Sequence, residues 1–167
     1  MSDERSNGNT GAADEADPIA LSYFDTYSDT VLLFVHGFPF DGRMWSPQLD
    51  ELASAARIVA PDLRGFGESA VPPAPYSIAE MAAECIELMD ALGVEKYVVG
   101  GLSMGGYVAL EIYRQAPERA RGLILASTKA GADNAEGKAG RDAAAQKVRD
   151  EGTAPIVSGM LSKLLAE

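Results

Sequence analysis

One strand-to-helix turn limits what this chain can fold into more than any other feature. Gly101-Leu102-Ser103-Met104-Gly105 follows an apolar run and precedes a helical pattern of apolar residues. The serine of such a G-x-S-x-G pattern sits on a tight turn, with its hydroxyl at the top of a sheet. Its backbone is strained, so Gly101 and Gly105 have to lack side chains. The turn also places Ser103 at a helix N-terminus, which favours a developing negative charge. The pattern predicts a nucleophilic serine; the alternative is a glycine-rich turn in which Ser103 only caps the helix.

The order of apolar runs predicts the class of fold. Runs of strand length occupy residues 31–35, 57–60, 96–100 and 121–126, and helical patterns separate them. A continuous apolar run is typical of a strand that is buried on both faces. This alternation predicts an α/β protein with a mostly parallel sheet and helices on both faces. Residues 19–25 alternate weakly and are a further candidate strand.

Residues 77–92 form the clearest helix of the sequence. Ser77 and Glu80 make a capping box at its start, and apolar residues recur along one face. Cys85 lies on that face and is predicted to be a packed core residue rather than a reactive thiol. The acidic residues of the stretch, Glu84 among them, are predicted to face water. Two more helices are predicted over residues 135–151 and 155–166.

Composition excludes several classes of partner. The chain has 167 residues and a net charge of −11, without a basic patch, so nucleic acid is not an expected partner. No apolar run reaches the roughly 20 residues that span a bilayer, and the start lacks the pattern of a signal peptide. We therefore expect no membrane partner, a cytoplasmic location, no cofactor and no metal site. Residues 1–18 are predicted to be a disordered acidic tail.

Three motifs follow three successive predicted strands. They are His36-Gly37-Phe38-Pro39, the stretch 61–69 (PDLRGFGES) and the serine turn at 101–106. In this order they resemble the α/β-hydrolase fold, closest to the branch of enol-lactonases, carboxylesterases and cofactor-free haloperoxidases. The resemblance implies that residues 19–132 are the N-terminal part of the hydrolase core. It also implies that residues 133–167 are the start of a helical cap.

The resemblance assigns a role to each residue that matches a motif. It implies a serine hydrolase that cleaves a carboxylic ester or lactone by acyl transfer to Ser103. The backbone N–H groups of Phe38 and Met104 would form the oxyanion hole, where each fixed donor is worth about 3 kcal/mol of barrier. Residues that support the turn and the oxyanion loop are His36, Gly37, Gly101 and Gly105.

The sequence departs from the family in its triad. The family order is serine, then acid, then histidine, whereas the single histidine here, His36, precedes Ser103. His36 as general base and Asp133 as acid stay open as alternatives within the chain. The favoured expectation is a truncated hydrolase that lacks its triad acid, its histidine and the last strands of the sheet. The other interpretations are one half of a split enzyme, or a non-catalytic binding or regulatory remnant of the fold.

The predicted last strand bears on the partners of the chain. Residues 122–127 are apolar enough to be internal, yet they would lie at a sheet edge. A bare apolar edge invites pairing with another chain. We therefore expect a homo-oligomer or a complementing C-terminal chain, in addition to a small-molecule ester or lactone substrate.

Overall fold

The computed structural model describes residues 21–26 and 30–164. The predicted tail over residues 1–18 lies outside the described residues, as does the beginning of the predicted 19–25 strand. The chain divides into two compact units, Met1–Ala130 and Gly131–Glu167, and each unit is described by itself. The assignment of these parts to a hydrolase core and a cap stays a prediction.

The first unit is built on a five-stranded sheet with the order β1-β3-β2-β4-β5. The strands are β1 (Tyr23–Asp25), β2 (Val31–Val35), β3 (Arg57–Pro61), β4 (Tyr97–Leu102) and β5 (Ala120–Ala126). β2 pairs in parallel with β3 and β4, and β4 pairs in parallel with β5, whereas β1 runs antiparallel to β3. The predicted mostly parallel sheet is confirmed. The carboxyl ends of β2, β3 and β4 meet at one edge of the sheet, and the three motifs follow them there.

Helices cover both faces of this sheet. They are α1 (Ser46–Leu52), α2 (Ile78–Ala91) and α3 (Met104–Gln115), with short 3-10 turns at Gly42–Trp45 and Pro117–Arg119. Alternate side chains of β2 enter two different clusters, because successive residues of a strand point to opposite faces. Leu33 packs with residues of α2 and α3, whereas Phe34 packs with Trp45 and with α1. The expected three-layer arrangement is confirmed.

The start of α2 is capped as its sequence predicts. The Ser77 Oγ accepts from the Glu80 N–H at 3.2 Å, and the Glu80 carboxylate accepts from the Ser77 N–H at 2.6 Å. Cys85 is fully buried, and burial raises the pKa of its thiol to about 12. A thiol that stays protonated in an apolar cluster is a packing residue, so the expectation for Cys85 is confirmed.

One expectation for α2 is wrong. Glu84 does not face water: it is only 6% exposed and is paired with Arg64. The Arg64 Nε donates to the Glu84 Oε2 at 2.8 Å, and its guanidinium lies 5.6 Å from the centre of the Tyr76 ring. The sequence periodicity of α2 predicts its apolar face. It does not predict that Arg64, in the loop after β3, pairs with Glu84 on another face of the helix.

The second unit contains the two predicted helices, α4 (Ala135–Glu151) and α5 (Ala154–Leu164). The Asn134 side chain caps α4 by accepting from the Gly137 N–H at 2.8 Å. α4 buries none of its residues. In neither unit does any described helix combine the length and the apolar character needed to cross a membrane.

Candidate active site

Ser103 occupies the turn between β4 and α3 in a strained conformation. Its φ is 51° and its ψ is −110°, backbone angles that residues other than glycine rarely adopt. Three hydrogen bonds hold the turn. The Ser103 N–H donates to the Ala126 carbonyl at 2.9 Å, and the Ser103 carbonyl accepts from the Gly106 N–H at 3.0 Å and the Thr128 hydroxyl at 2.8 Å. Strain of this kind persists only where surrounding structure fixes it, and here β5 and α3 do so.

The glycines of the turn have no room for a side chain. A Cβ at Gly101 would lie 2.1 Å from the Gly105 carbonyl oxygen, and one at Gly105 would lie 2.1 Å from the Val35 carbonyl oxygen. Gly106 is equally constrained, because a Cβ there would lie 2.4 Å from the Thr128 hydroxyl. Sequence reasoning assigned Gly101 and Gly105 but not Gly106, since Thr128 approaches only in the folded chain.

The loop after β2 passes directly against the serine turn. A Cβ at Gly37 would lie 3.1 Å from the Leu102 carbonyl oxygen and 3.5 Å from the Ser103 Cβ. The next residue, Phe38, and the first residue of α3, Met104, each offer a backbone N–H. Within residues 21–26 and 30–164, neither N–H is bonded to an acceptor. Gly37 and Ser103 lie side by side. The residues that directly follow them, Phe38 and Met104, therefore bring two unbonded N–H donors to the same part of the structure.

His36 is fully buried, and both of its ring nitrogens form hydrogen bonds to backbone groups. Its Nε2 accepts from the Leu63 N–H at 2.9 Å, so the proton sits on Nδ1, which donates to the Gly37 carbonyl at 3.1 Å. Burial lowers the pKa of His36 below its ordinary 6.5, against smaller opposing contributions from the Gly37 carbonyl and from Asp62 and Asp41. A neutral ring with both nitrogens engaged supports the loop and has no nitrogen left to accept a proton from Ser103.

Asp62 ties the loop after β2 to the loop after β3. It is buried, and its Oδ1 accepts from the Gly42 N–H at 2.7 Å while its Oδ2 accepts from the Glu68 N–H at 2.9 Å. Together with the bond from Leu63 to His36, this carboxylate fixes the two loops to each other. Sequence reasoning gave Asp62 no role of its own. Its place between a strand and a glycine-rich loop is the available signal; Glu68 is a partner from the same loop, whereas Gly42 is brought to Asp62 only by tertiary structure.

Asp133, the alternative acid, belongs to the second unit. There its carboxylate is paired with Arg141, and its role as a triad acid stays a prediction. Among the described residues, no group of three or more histidine, cysteine or carboxylate side chains is arranged to hold a metal ion.

The comparison with protein families identifies the class to which this fold and turn belong. The family model of the alpha/beta hydrolase fold matches residues 30–154. The chain therefore belongs to the α/β-hydrolase fold family, and the resemblance of its motifs is confirmed.

Individual relatives include hydrolases and one transferase. A thermophilic esterase from Thermogutta terrifontis matches with a TM-score of 0.82 and 44% identity, over 87% of this chain and 54% of the esterase. The 3-oxoadipate enol-lactonase 2 of Acinetobacter baylyi is 31% identical over 143 residues, which are 84% of this chain and 52% of the lactonase. The dihydrolipoyllysine-residue acetyltransferase component of the acetoin cleaving system of Cupriavidus necator is 42% identical over 96 residues, which are 58% of this chain and 26% of that protein. This chain thus spans about half, or less, of the length of these relatives.

Proposed function

We propose that the protein is a serine hydrolase that cleaves a carboxylic ester or lactone by acyl transfer to Ser103. One observation carries the proposal: Ser103 is held in a strained turn, with a φ of 51°, at the N-terminus of α3. The loop with the Phe38 N–H lies against this turn. Backbone strain of this kind clusters at functional sites. The alternative, a serine that only caps the helix, is disfavoured because the Ser103 side chain makes no capping hydrogen bond.

The proposed chemistry follows from the groups around Ser103. Its Oγ attacks the substrate carbonyl carbon and gives its proton to a base. The carbonyl oxygen becomes negative and accepts from the N–H groups of Phe38 and Met104, which do not have to reorganise. The alkoxide leaves with the proton from the base, and water then hydrolyses the acyl–serine bond. Ester cleavage, lactone cleavage and acetyl transfer all move an acyl group, so the names of the three relatives support this reaction class.

The base in this proposal is not His36, because both of its nitrogens are engaged with backbone groups. His36 is also the only histidine of the sequence. We therefore include in the proposal a triad histidine and acid that come from a complementing segment or chain. The chain matches 54% of the Thermogutta esterase, so the other half of such an enzyme is a suitable source.

Covalent labelling tests this proposal, with a second serine as a matched control. Ser127 also has a positive φ, of 45°, and lies directly after β5. The full chain, alone and mixed with the C-terminal half of the Thermogutta esterase, would be treated with an alkyl fluorophosphonate and analysed by intact-mass spectrometry. We expect one adduct on the wild type and on Ser127→Ala, and none on Ser103→Ala. An absence of any adduct in both preparations, or an adduct on Ser103→Ala, would overturn the proposal.

A second candidate is a non-catalytic binding or regulatory protein that retains this half of the scaffold. It is favoured by the engagement of His36, which leaves the described residues without a histidine to activate Ser103. This candidate predicts that a small ester binds equally well to the wild type and to Ser103→Ala. It also predicts that no phosphonate adduct forms after mixing.

We also propose that β5 pairs with a second chain, either another copy or a complementing C-terminal chain. Ile124 and Leu125 are successive residues and are 48% and 44% exposed. Because they point to opposite faces of the sheet, β5 exposes large apolar side chains on both faces. A charged or polar residue at one of these positions would protect the edge, and neither position has one.

A further inference from the structure

The ring of Phe38 is exposed although its backbone lies next to the serine turn. Phe38 is 45% exposed in the loop that directly follows β2. The proposed oxyanion role does not require a phenylalanine at this position, because every residue type except proline supplies a backbone N–H. A substrate whose carbonyl accepts from the Phe38 N–H would lie next to the residue that bears this ring.

A second ring fixes the position of Phe38. The rings of Phe38 and Phe66 are 6.0 Å apart at an interplanar angle of 88°, and the rings of Phe66 and His36 are 5.2 Å apart at 68°. Edge-to-face contacts of this kind stabilise aromatic pairs. The three rings thus form a row from the buried His36 to the exposed Phe38, and the Phe66 ring packs against that of Phe38.

Charged side chains of the same two loops pair with other groups of the chain. The Asp41 carboxylate is bonded to Arg43 at 2.5 Å, and Arg64 is paired with the buried Glu84. Asp62 accepts from two backbone N–H groups. Both cations pair with carboxylates of this chain, and the exposed ring of Phe38 offers an apolar surface to an uncharged substrate.

We propose that Phe38 and Phe66 form an apolar wall that selects esters or lactones with an apolar group next to the reacting carbonyl. This inference rests on the proposed function, and it names the class of substrate for the same site. Phe40 supplies an internal control. It is two residues further along the loop and is 36% exposed, and its ring makes none of the aromatic contacts just described.

Two neutral esters of matched shape test the wall. p-Nitrophenyl butyrate and p-nitrophenyl methoxyacetate differ by one methylene that is replaced by an ether oxygen. The full chain, with the complementing half that restores turnover, would be assayed for the ratio of kcat/KM between them. Comparing this ratio across variants cancels the intrinsic reactivity of each ester. We expect the preference for butyrate to fall roughly tenfold in Phe38→Ala and Phe66→Ala, and to change less than about twofold in Phe40→Ala.

A binding measurement separates failure of the wall from failure of the chemistry. Saturation-transfer NMR would follow ethyl butyrate on the full-length Ser103→Ala chain, with and without Phe38→Ala. Loss of the signal in the double variant supports the wall even if no turnover is found. Phe66→Leu, which keeps an apolar side chain, serves if Phe66→Ala does not fold. An unchanged ester preference in Phe38→Ala, an equal loss in Phe40→Ala, or an undiminished NMR signal in the double variant would overturn the inference.

Discussion

β4 and β5 are neighbours in one sheet and have similarly apolar sequences, but their environments differ. β4 lies between β2 and β5, and its residues Tyr97 and Val99 are fully buried. β5 pairs with β4 along one side and exposes Ile124 and Leu125. Composition therefore does not decide which strand is buried; the neighbours of the strand do. The serine turn lies where β2, β4 and α3 meet and is bonded to the end of β5, whereas the middle of β5 exposes apolar side chains.

The largest expected effect on stability comes from comparing a glycine of the serine turn, Gly105, with a glycine of β5, Gly122. Gly105→Ala places a Cβ 2.1 Å from the Val35 carbonyl oxygen, whereas a Cβ at Gly122 of β5 meets the Val98 side chain at an ordinary 3.9 Å. We expect Gly105→Ala to lower the free energy of unfolding by more than about 3 kcal/mol. Gly122→Ala should change it by less than about 1 kcal/mol. Urea unfolding followed by circular dichroism measures both, and equal losses would show that the turn is not sterically closed.

The next largest effect on stability comes from comparing a buried aliphatic side chain of β4 with a half-exposed one of β5. Val99→Ala removes methyl groups from a fully buried position, whereas Ile124→Ala shortens a side chain that is 48% exposed. We expect a loss of about 2 kcal/mol for Val99→Ala and of less than about 1 kcal/mol for Ile124→Ala. The same urea experiment applies. A larger loss for Ile124→Ala would mean that β5 is already covered in solution, and association would then have to be measured first.

Much of this comparison could be predicted from the sequence, because it rests on local patterns. The alternation of strands and helices gave the parallel sheet, and Ser77 with Glu80 gave the start of α2. The G-x-S-x-G pattern placed Ser103 on its turn, since glycine spacing is a local requirement. The exposure of the last strand also followed from its position at the end of the series.

The unpredicted features share a different cause. Glu84 is buried because Arg64, twenty positions earlier, reaches it. Asp62 binds the N–H group of Glu68 in its own loop and that of Gly42, which reaches it only when both loops have folded. The contacts of Glu84 with Arg64 and of Asp62 with Gly42 are set by tertiary structure, and a single sequence does not record them.

A smaller effect concerns the buried end of β2. Burial lowers the pKa of His36 below 6.5, so below pH 6.5 the unfolded chain takes up a proton more readily than the folded chain. The contribution of His36 to stability is complete above this pH and is lost as the pH falls toward its folded pKa. One proton limits the slope to about 1.4 kcal/mol per pH unit.

The pH effect is measured by urea unfolding at about pH 7.5 and about pH 5.5, on the wild type and on His36→Gln. We expect the wild type to lose stability on acidification and His36→Gln, which has nothing to titrate in this range, to lose less. Carboxylates with lowered pKa, such as that of Glu80, respond at lower pH. An equal loss in both proteins would assign the effect to groups other than His36.

The smallest expected change in unfolding free energy accompanies a change in association at β5. Ile124→Lys adds a charge at the exposed edge, and Val71→Lys adds the same charge in a loop position that is 79% exposed. Neither should alter urea unfolding by more than about 0.5 kcal/mol. If the edge of β5 pairs with another chain, Ile124→Lys shifts the mass measured by size-exclusion chromatography with light scattering toward the monomer, because a charged edge resists pairing. Val71→Lys leaves the mass unchanged. Equal masses for all three proteins would mean that β5 is not the contact, and the difference between β4 and β5 would then be one of exposure alone.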